Sequence, residues 1–251
     1  TMALRDELKE QGDLLFRYRS YFPILMLIPL GWFYIQSMKG PTDFQAYWEA
    51  SRPLEWLALG VSLVGLFIRV LAVGFSADHT SGRNTSAGQI AESINQTGLY
   101  ACLRHPLYLG NYFMWLGPVL FTSNPWFALG FTAIYALYYE RIMYAEEAFL
   151  VGKFGEQYLN YSKKVPAVLP HWAGWIQPQN TFSWVKVIRQ EKAGILNLFL
   201  VIFLLKSLAI YVYTGTWGYD LWWLVALCMA LIYYLIIKII QKATLWLSVD
   251  R

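Results

Sequence analysis

Charged side chains are scarce in this sequence. Asp, Glu, Lys and Arg together make up 14% of the 251 residues, whereas ordinary soluble domains carry about 25%. Hydrophobic residues account for 57% and aromatic residues for 18%. This composition excludes an ordinary soluble domain and indicates a polytopic membrane protein.

The residue types that build disulfides and metal sites are also few. The two cysteines, Cys102 and Cys228, lie far apart in or beside apolar segments, so they predict no disulfide framework. The three histidines show no metal-ligand spacing, and no Cys-x-x-Cys pair occurs. The glycine fingerprint of dinucleotide-binding folds is not found either. We therefore expect no metal site.

Long apolar runs stand where charge is missing. A helix needs about 20 apolar residues to cross a bilayer, and six runs approach that length. They predict an all-α fold, a polytopic membrane helix bundle with about six transmembrane helices plus amphipathic cytosolic helices. The predicted spans are 21–38, 54–75, 106–122, 126–144, 195–213 and 221–240.

The Lys and Arg residues orient this layout. Most of them fall in segments that share one side of the membrane, whereas only Lys39 and Arg52 fall on the other side. Because cytosolic loops carry the excess of basic residues, both termini and the candidate site are predicted to be cytosolic.

The chain divides into five predicted parts. Segment 1–20 mixes charged and apolar residues, which favours an amphipathic interfacial anchor over a gate above the site. The other parts are N-terminal transmembrane helices at 21–75, a core with the candidate site at 76–170, an interfacial connector at 171–194 and a C-terminal pair of transmembrane helices at 195–251.

Segment 98–110 is the most informative part of the core, and it reads G-L-Y-A-C-L-R-H-P-L-Y-L-G. Pro106 has no N–H and forces the preceding residue out of helical geometry, which predicts a helix that starts at Pro106 with His105 at its cap. The free N–H groups and the positive dipole end of such a start favour an anion. A structural role of a lone cap histidine is the alternative.

Two further blocks follow this one along the chain. The pattern E-E-x-x-L begins at Glu146, and F-G-x-x-Y-x-x-Y begins at Phe154. In this order and spacing, the three blocks resemble the isoprenylcysteine carboxyl methyltransferase and phospholipid methyltransferase superfamily. Its members are integral-membrane enzymes that use S-adenosylmethionine (AdoMet). The sequence around Pro106 looks most like the bacterial branch, which includes lipid A phosphate methyltransferases. This likeness implies location in a bacterial inner membrane.

The resemblance implies AdoMet as the methyl donor and S-adenosylhomocysteine as the product. The N–H groups of Leu107 and Tyr108 suit the cofactor carboxylate, and Glu146 suits a cation or a ribose hydroxyl. The cofactor-binding residues that the resemblance implies are Glu92, Ser93, Ile94, Asn95, Tyr100, His105, Pro106, Leu107, Tyr108 and Glu146.

Arginines are the candidates for contact with the methyl acceptor, and we expect catalytic roles for Arg69, Arg104 and Arg141. Arg69 lies inside a predicted span, where an ionisable residue costs roughly 2.5–3.5 kcal/mol on insertion scales and marks a functional site by default. In the prenylcysteine enzymes of the resembling superfamily, an arginine shortly before the double glutamate holds the substrate carboxylate. Arg141 is displaced from that place by one residue, which disfavours a prenylated protein as substrate.

These observations together predict an O-methyltransferase. The expected acceptor is an anionic oxygen of a lipid headgroup, either a phosphate such as that of lipid A or a carboxylate. The expected partner is a membrane lipid or a lipidated substrate, with no nucleic acid. Three alternatives remain open: N-methylation of phosphatidylethanolamine, carboxyl methylation of a prenylated cysteine, and an NADPH enzyme of the sterol-reductase type.

Overall fold

The computed structural model describes residues 3–38, 43–77, 80 and 91–243. Within these ranges the chain is helical, apart from loops and one isolated antiparallel bridge between Gly98 and Ile176. The helices are α1 Leu4–Tyr18, α2 Phe22–Ser37, α3 Phe44–Gly74, α4 Leu99–Cys102, α5 Pro106–Leu120, α6 Pro125–Phe154, α7 Glu156–Ser162, α8 Trp184–Thr214 and α9 Leu221–Ala243. The predicted all-α fold is confirmed.

A helix occupies each of the six predicted spans, namely α2, α3, α5, α6, α8 and α9. Three of them, α3, α8 and α9, are long and apolar enough to cross a membrane, and α2 contains a shorter apolar helix. The chain is therefore a helix bundle of the membrane type, while the count of six spans stays a prediction. Within the predicted core at 76–170, residues 78–79 and 81–90 lie outside the described residues.

Two ion pairs join α3 to α8 inside the bundle. The Lys206 ammonium lies 2.5 Å from the Glu55 carboxylate, and Arg69 lies 2.7 Å from Glu191. Lys206 also lies 3.3 Å from the centre of the Trp48 ring. Because each helix carries one acidic and one basic partner, only an antiparallel pairing in this register brings opposite charges together. The C-terminal helices are thus fixed to the centre of the bundle.

Glycines let α3 and α5 approach each other closely. A Cβ atom at Gly110 would lie 2.5 Å from Cγ of Arg69 and 2.9 Å from the carbonyl oxygen of Gly65. The Ser62 hydroxyl donates to the Met114 carbonyl at 3.1 Å across the same interface. Gly110, the last glycine of segment 98–110, has no side chain, and the Arg69 side chain therefore fits against α5 at this position.

The connector before α8 runs back along segment 98–105. Four main-chain hydrogen bonds hold it there: Gly98 N–H to Ile176 (2.8 Å), His171 N–H to Cys102 (2.9 Å), Arg104 N–H to Pro166 (2.9 Å) and His105 N–H to Ala167 (3.1 Å). The segment from Pro166 to Ile176 thus also supports the cap, and α8 begins at Trp184, before the predicted span that starts at 195.

Candidate active site

The cap before α5 has the predicted geometry. His105 is the N-cap with φ −121° and ψ 59°, and Pro106 stands at the first helical position. The N–H of Tyr108 bonds to the His105 carbonyl at 3.2 Å. Of the two donors that the sequence suggested for an anion, Tyr108 is thus already engaged, and Leu107 is the better candidate.

Glu147 binds both side chains that precede Pro106. Its Oε1 accepts from Arg104 Nε and contacts His105 Nε2, each at 2.9 Å. Burial alone would raise the pKa of Glu147, but the hydrogen bonds and charges of His105 and Arg104 together hold that pKa below its ordinary value. Glu147 is therefore an ionised support of the cap.

Arg104 connects the cap to the end of α7 and to the residues that follow it. Its Nη1 donates to the carbonyl oxygens of Ser162 at 2.7 Å and Val165 at 3.2 Å, in addition to the Nε bond to Glu147. A guanidinium has five N–H donors, and these bonds use three of them. These contacts support a positioning role for Arg104, and its contact with the acceptor stays a prediction.

Glu146, the neighbour of Glu147, faces the cavity instead. The Tyr108 hydroxyl donates to its Oε2 at 3.0 Å, and His105 Nδ1 lies 3.6 Å from the same oxygen. The Tyr108 ring also stacks on His105, with ring centres 5.7 Å apart. Because a carboxylate offers about four acceptor positions, Glu146 can still accept hydrogen bonds from a ligand.

A cavity of about 560 Å³ begins at this cap, and its volume lies within the range of small-molecule sites. Nine of the ten predicted cofactor residues line it: Ser93, Ile94, Asn95, Tyr100, His105, Pro106, Leu107, Tyr108 and Glu146. Glu92 is exposed and does not belong to the lining. Asn95 also orders the adjoining turn, because its side chain bonds to the Ala77 N–H and the Thr80 hydroxyl, each at 2.8 Å.

The predicted arginines do not share one place. Arg69 and Arg104 line the cavity, whereas Arg141 does not. The Arg141 guanidinium contacts the Gln11 side chain at 3.1 Å and the Leu137 carbonyl at 3.0 Å. A Cβ at Gly12 would overlap the Arg141 carbonyl, so α1 packs tightly on α6 here. We interpret Arg141 as a contact between these helices.

Tyr158 of the third sequence block lines the cavity and carries a buried hydroxyl without a hydrogen-bond partner among the described residues. The residue is 2% exposed. Burial and the nearby Glu147 carboxylate raise the pKa of Tyr158 far above its usual range, so the hydroxyl remains a donor. Buried polar groups usually have a partner, which suggests that a ligand supplies one.

The predicted Arg69 lies in the cavity among residues that the sequence patterns did not indicate. Arg69 makes a two-bond contact with Glu191 at 2.7 Å for each bond, and its Nη1 donates to Asn111 at 2.6 Å. Besides Asn111, the lining residues missed from sequence include Phe16, Arg19, Ser20, Thr80, Ala91, Trp115, Tyr139, Arg189, Gln190 and Asn197. A polar residue beside or inside an apolar run, such as Asn111 or Asn197, was the available signal.

The fold and the cavity define a membrane-type helix bundle with a polar ligand site at a helix start. Residues 55–157 match the family described as Phospholipid methyltransferase. These residues form a domain of that family, and the resemblance seen in the three sequence blocks is confirmed.

Curated relatives agree with this family. A protein-S-isoprenylcysteine O-methyltransferase from Schizosaccharomyces pombe is 34% identical over 45% of this chain and 48% of its own length. The Homo sapiens protein of the same name is 27% identical over 49% of this chain and 45% of its own length. A methanethiol S-methyltransferase from Pseudomonas deceptionensis is 32% identical over 52% and 51%. The chain thus spans about half the length of the curated relatives it matches, and no solved structure matches it.

Proposed function

We propose that this chain is an AdoMet-dependent membrane methyltransferase that methylates an anionic oxygen of a lipid headgroup or of a lipid-anchored acceptor at the cytosolic face. The observation that carries this proposal is one cavity whose lining brings together Glu146, the start of α5, Tyr158 and Arg69. The family of residues 55–157 supports it.

The residues at the cap end fit the polar groups of AdoMet. Glu146 suits its ammonium group, and the Leu107 N–H at the start of α5 suits its carboxylate. Tyr158 can donate to the ribose or the adenine, and Phe149 and Leu150 add apolar surface. When bound, AdoMet supplies a methyl group that is already activated on a sulfonium, so the chain has only to align an acceptor and exclude water.

An anionic oxygen fits Arg69 better than an amine does. Arg69 lines the cavity, and the two N–H donors that Glu191 and Asn111 leave unused can bind a carboxylate or phosphate, whereas a protonated amine offers them no acceptor. An amine would also need a base to remove its proton. Both ring nitrogens of His105, the histidine of this cavity, face carboxylates, at 2.9 Å for Glu147 and 3.6 Å for Glu146. These contacts favour O-methylation over N-methylation.

The relatives favour one acceptor within this class. Several are named for isoprenylcysteine O-methylation, which would make the acceptor the carboxylate of a lipidated cysteine. A lipid phosphate, such as that of lipid A, is the second candidate, and it presents the same anionic oxygen to Arg69. Arg141 does not discriminate between them, because it lies outside the cavity.

Methyl transfer to defined acceptors tests the proposal. Purified protein in mixed micelles would receive AdoMet with a labelled methyl group, together with a bacterial total lipid extract or with N-acetyl-farnesylcysteine. We expect a product that gains one methyl as an ester, either of a carboxylate or of a phosphate. Stepwise methyl gains on an ethanolamine headgroup would contradict O-methylation, and binding of a nicotinamide cofactor in place of AdoMet would contradict the methyltransferase proposal.

A further inference from the structure

Helix α8 adds polar side chains to the cavity, although it lies outside the matched family segment of 55–157. Gln190 and Asn197 both line the cavity. Residues seven positions apart lie on one face of a helix, so these two amides form a polar strip on α8. Gly194 lies between them, and the nearest atom that its Cβ would meet is Met114 Cε at 3.5 Å. A Cβ there would make ordinary van der Waals contact, so α8 lies directly beside Met114 of α5 at this point.

Two side chains of α5 line the same cavity one helical turn apart. They are Asn111 and Trp115. Since a guanidinium only donates hydrogen bonds, the bond of 2.6 Å from Arg69 fixes the Asn111 oxygen toward Arg69 and turns its amide nitrogen away. The α5 side of the cavity thus offers an amide held in place by Arg69 and Tyr139, and an aromatic surface.

Arg69 connects the two helices at the base of this space. It bonds to Asn111 on α5 and to Glu191 on α8. Its side chain keeps 18% of its surface exposed, whereas that of Glu191 keeps 1%. The buried carboxylate thus fixes a guanidinium that still reaches the cavity. Arg189 supplies a second cation to the lining.

Asn197 lies where the cavity meets the outer surface of the bundle. It is exposed, and the same face of α8 continues with Leu200 and Leu204, which are also exposed. An amide on an outward face of a helix that can span a membrane is costly without a use. Its presence at the edge of a polar cavity points to contact with a molecule that is partly polar and partly apolar.

We propose that Gln190 and Asn197 of α8 determine which acceptor the enzyme methylates, an inference that rests on the proposed function. The acceptor is an amphiphile that enters between α5 and α8. Its anionic group binds at Arg69 and Arg189, its neutral polar groups contact the two α8 amides, and its apolar tail extends along Leu200 and Leu204. The shared chemistry is an anionic oxygen on an apolar tail, whether from a lipid phosphate or from a lipidated carboxylate.

Kinetics with Gln190→Leu and Asn197→Leu test this subsite. Leucine keeps the side-chain volume but removes the hydrogen bonds, so we expect the acceptor KM to rise about tenfold, while the Kd for AdoMet stays within about twofold. Asn197→Gln should recover much of the wild-type KM. Gln45→Leu, an amide replacement at the exposed start of α3, is the matched control and should behave as wild type.

The two acceptor sources separate in the same assay. Phosphatidylcholine vesicles that contain phosphatidic acid present a phosphate, and N-acetyl-farnesylcysteine presents a carboxylate. An elevated KM in the leucine variants with either acceptor supports the α8 subsite and identifies the source. Unchanged KM values in variants that fold and bind AdoMet overturn the subsite but leave the proposed function intact. Failure of the wild-type chain to transfer methyl groups to either probe or to the lipid extract overturns both.

Discussion

Individual side chains in the cavity divide into ligand contacts and supports. Glu146 and Tyr158 line the cavity and keep hydrogen-bonding capacity. Glu147 instead bonds to the side chains of Arg104 and His105, and Arg104 also donates to the Ser162 and Val165 carbonyls. Adjacent residues in one sequence block therefore have different roles. The difference arises from helix geometry, because consecutive positions on α6 point about 100° apart.

Removing the Tyr158 hydroxyl separates binding from stability. We expect Tyr158→Phe to weaken AdoMet binding by about two- to tenfold, the usual worth of one hydrogen bond. The melting temperature should not fall, because that hydroxyl has no partner among the described residues. Calorimetric titration and thermal unfolding measure the two effects.

Tyr161→Phe is the matched comparison for that variant. Its hydroxyl donates to the Tyr100 carbonyl at 2.6 Å, so its loss should lower the melting temperature. Wild-type AdoMet affinity in Tyr158→Phe would contradict the assigned contact.

Acid should weaken the cap through Glu147. Because the folded-state pKa of Glu147 lies below its ordinary value of 4.5, its ionised form stabilises the fold above about pH 4.5, and this stabilisation is lost as the pH falls through the folded-state pKa. Glu147→Gln should therefore be less stable than wild type at pH 7 and lose less stability on acidification. Thermal unfolding between pH 3 and pH 7 measures this difference.

Glu140→Gln controls for charge removal from the same helix, since Glu140 is 72% exposed. It should keep the wild-type pH profile. Equal pH slopes in wild type and Glu147→Gln would contradict the role given to Glu147.

At the residue scale, local rules predicted the cap but not its supports. His105 and Pro106 follow from the restricted geometry around proline, which acts between neighbours in the sequence. Arg104 was assigned to the acceptor because its partners, Glu147, Ser162 and Val165, lie 43, 58 and 61 positions away. No local pattern contains such contacts.

The relative positions of neighbouring helices are set by ion pairs in one case and by glycines in another. The α3–α8 pair uses two buried ion pairs, and the α3–α5 pair uses glycines. Both interfaces position Arg69. Helix α8 provides its carboxylate partner Glu191, and the absence of a side chain at Gly110 lets Arg69 pack against α5. The position of the proposed acceptor site thus depends on three helices at once.

Exchanging the charges of the second ion pair tests the α3–α8 register. Glu55→Lys and Lys206→Glu should each destabilise the protein strongly, because a buried pair that loses one partner costs about 3–5 kcal/mol. The double variant should recover part of that loss, although Trp48 then loses its cation contact. Thermal unfolding in detergent measures the series, and a double variant no more stable than either single one would contradict the register.

Gly110→Ala tests the passage of Arg69. The added Cβ would lie 2.5 Å from Arg69 Cγ and 2.9 Å from the Gly65 carbonyl, so Arg69 or α5 must shift. We expect lower stability and a methyl-transfer rate reduced at least about tenfold, since misplacement by about 1 Å can cost a hundredfold.

Gly60→Ala is the matched control, because nothing lies within 4 Å of its Cβ position. Alanine there should leave activity unchanged and stabilise α3 by up to about 1 kcal/mol. Equal behaviour of the two variants would argue against the close approach at Gly110.

At the element scale, apolar runs predicted six helices but misjudged where α8 begins. The charged residues Lys186, Arg189 and Glu191 interrupt hydropathy and moved the predicted start to 195, whereas the helix begins at Trp184. Glu191 and Lys186 are buried against α3 and the residues after it, through Arg69 and the Ser76 carbonyl. Partners so far away in the sequence allow charged residues to be buried within a helix. Hydropathy averaged over neighbouring residues does not reveal such partners.

At the scale of the whole molecule, the cavity is lined by residues from helices that lie far apart in the sequence. Its cap end comes from the three blocks between Gly98 and Tyr161, whose chemistry was predicted from their resemblance to a family. Other parts of its lining come from α1, α3 and α8, whose residues reach the cavity only through packing. The amphipathic segment 1–20 is one example, since Phe16, Arg19 and Ser20 line the cavity.

Binding of AdoMet to the purified, folded chain tests the central claim most directly. Calorimetric titration in detergent should show one saturable site that S-adenosylhomocysteine competes for. Glu146→Ala should abolish or greatly weaken this binding, whereas Arg141→Ala, outside the cavity, should keep it. No saturable binding by folded wild-type protein, or equal binding by Glu146→Ala, would contradict the assignment of this cavity as the AdoMet site.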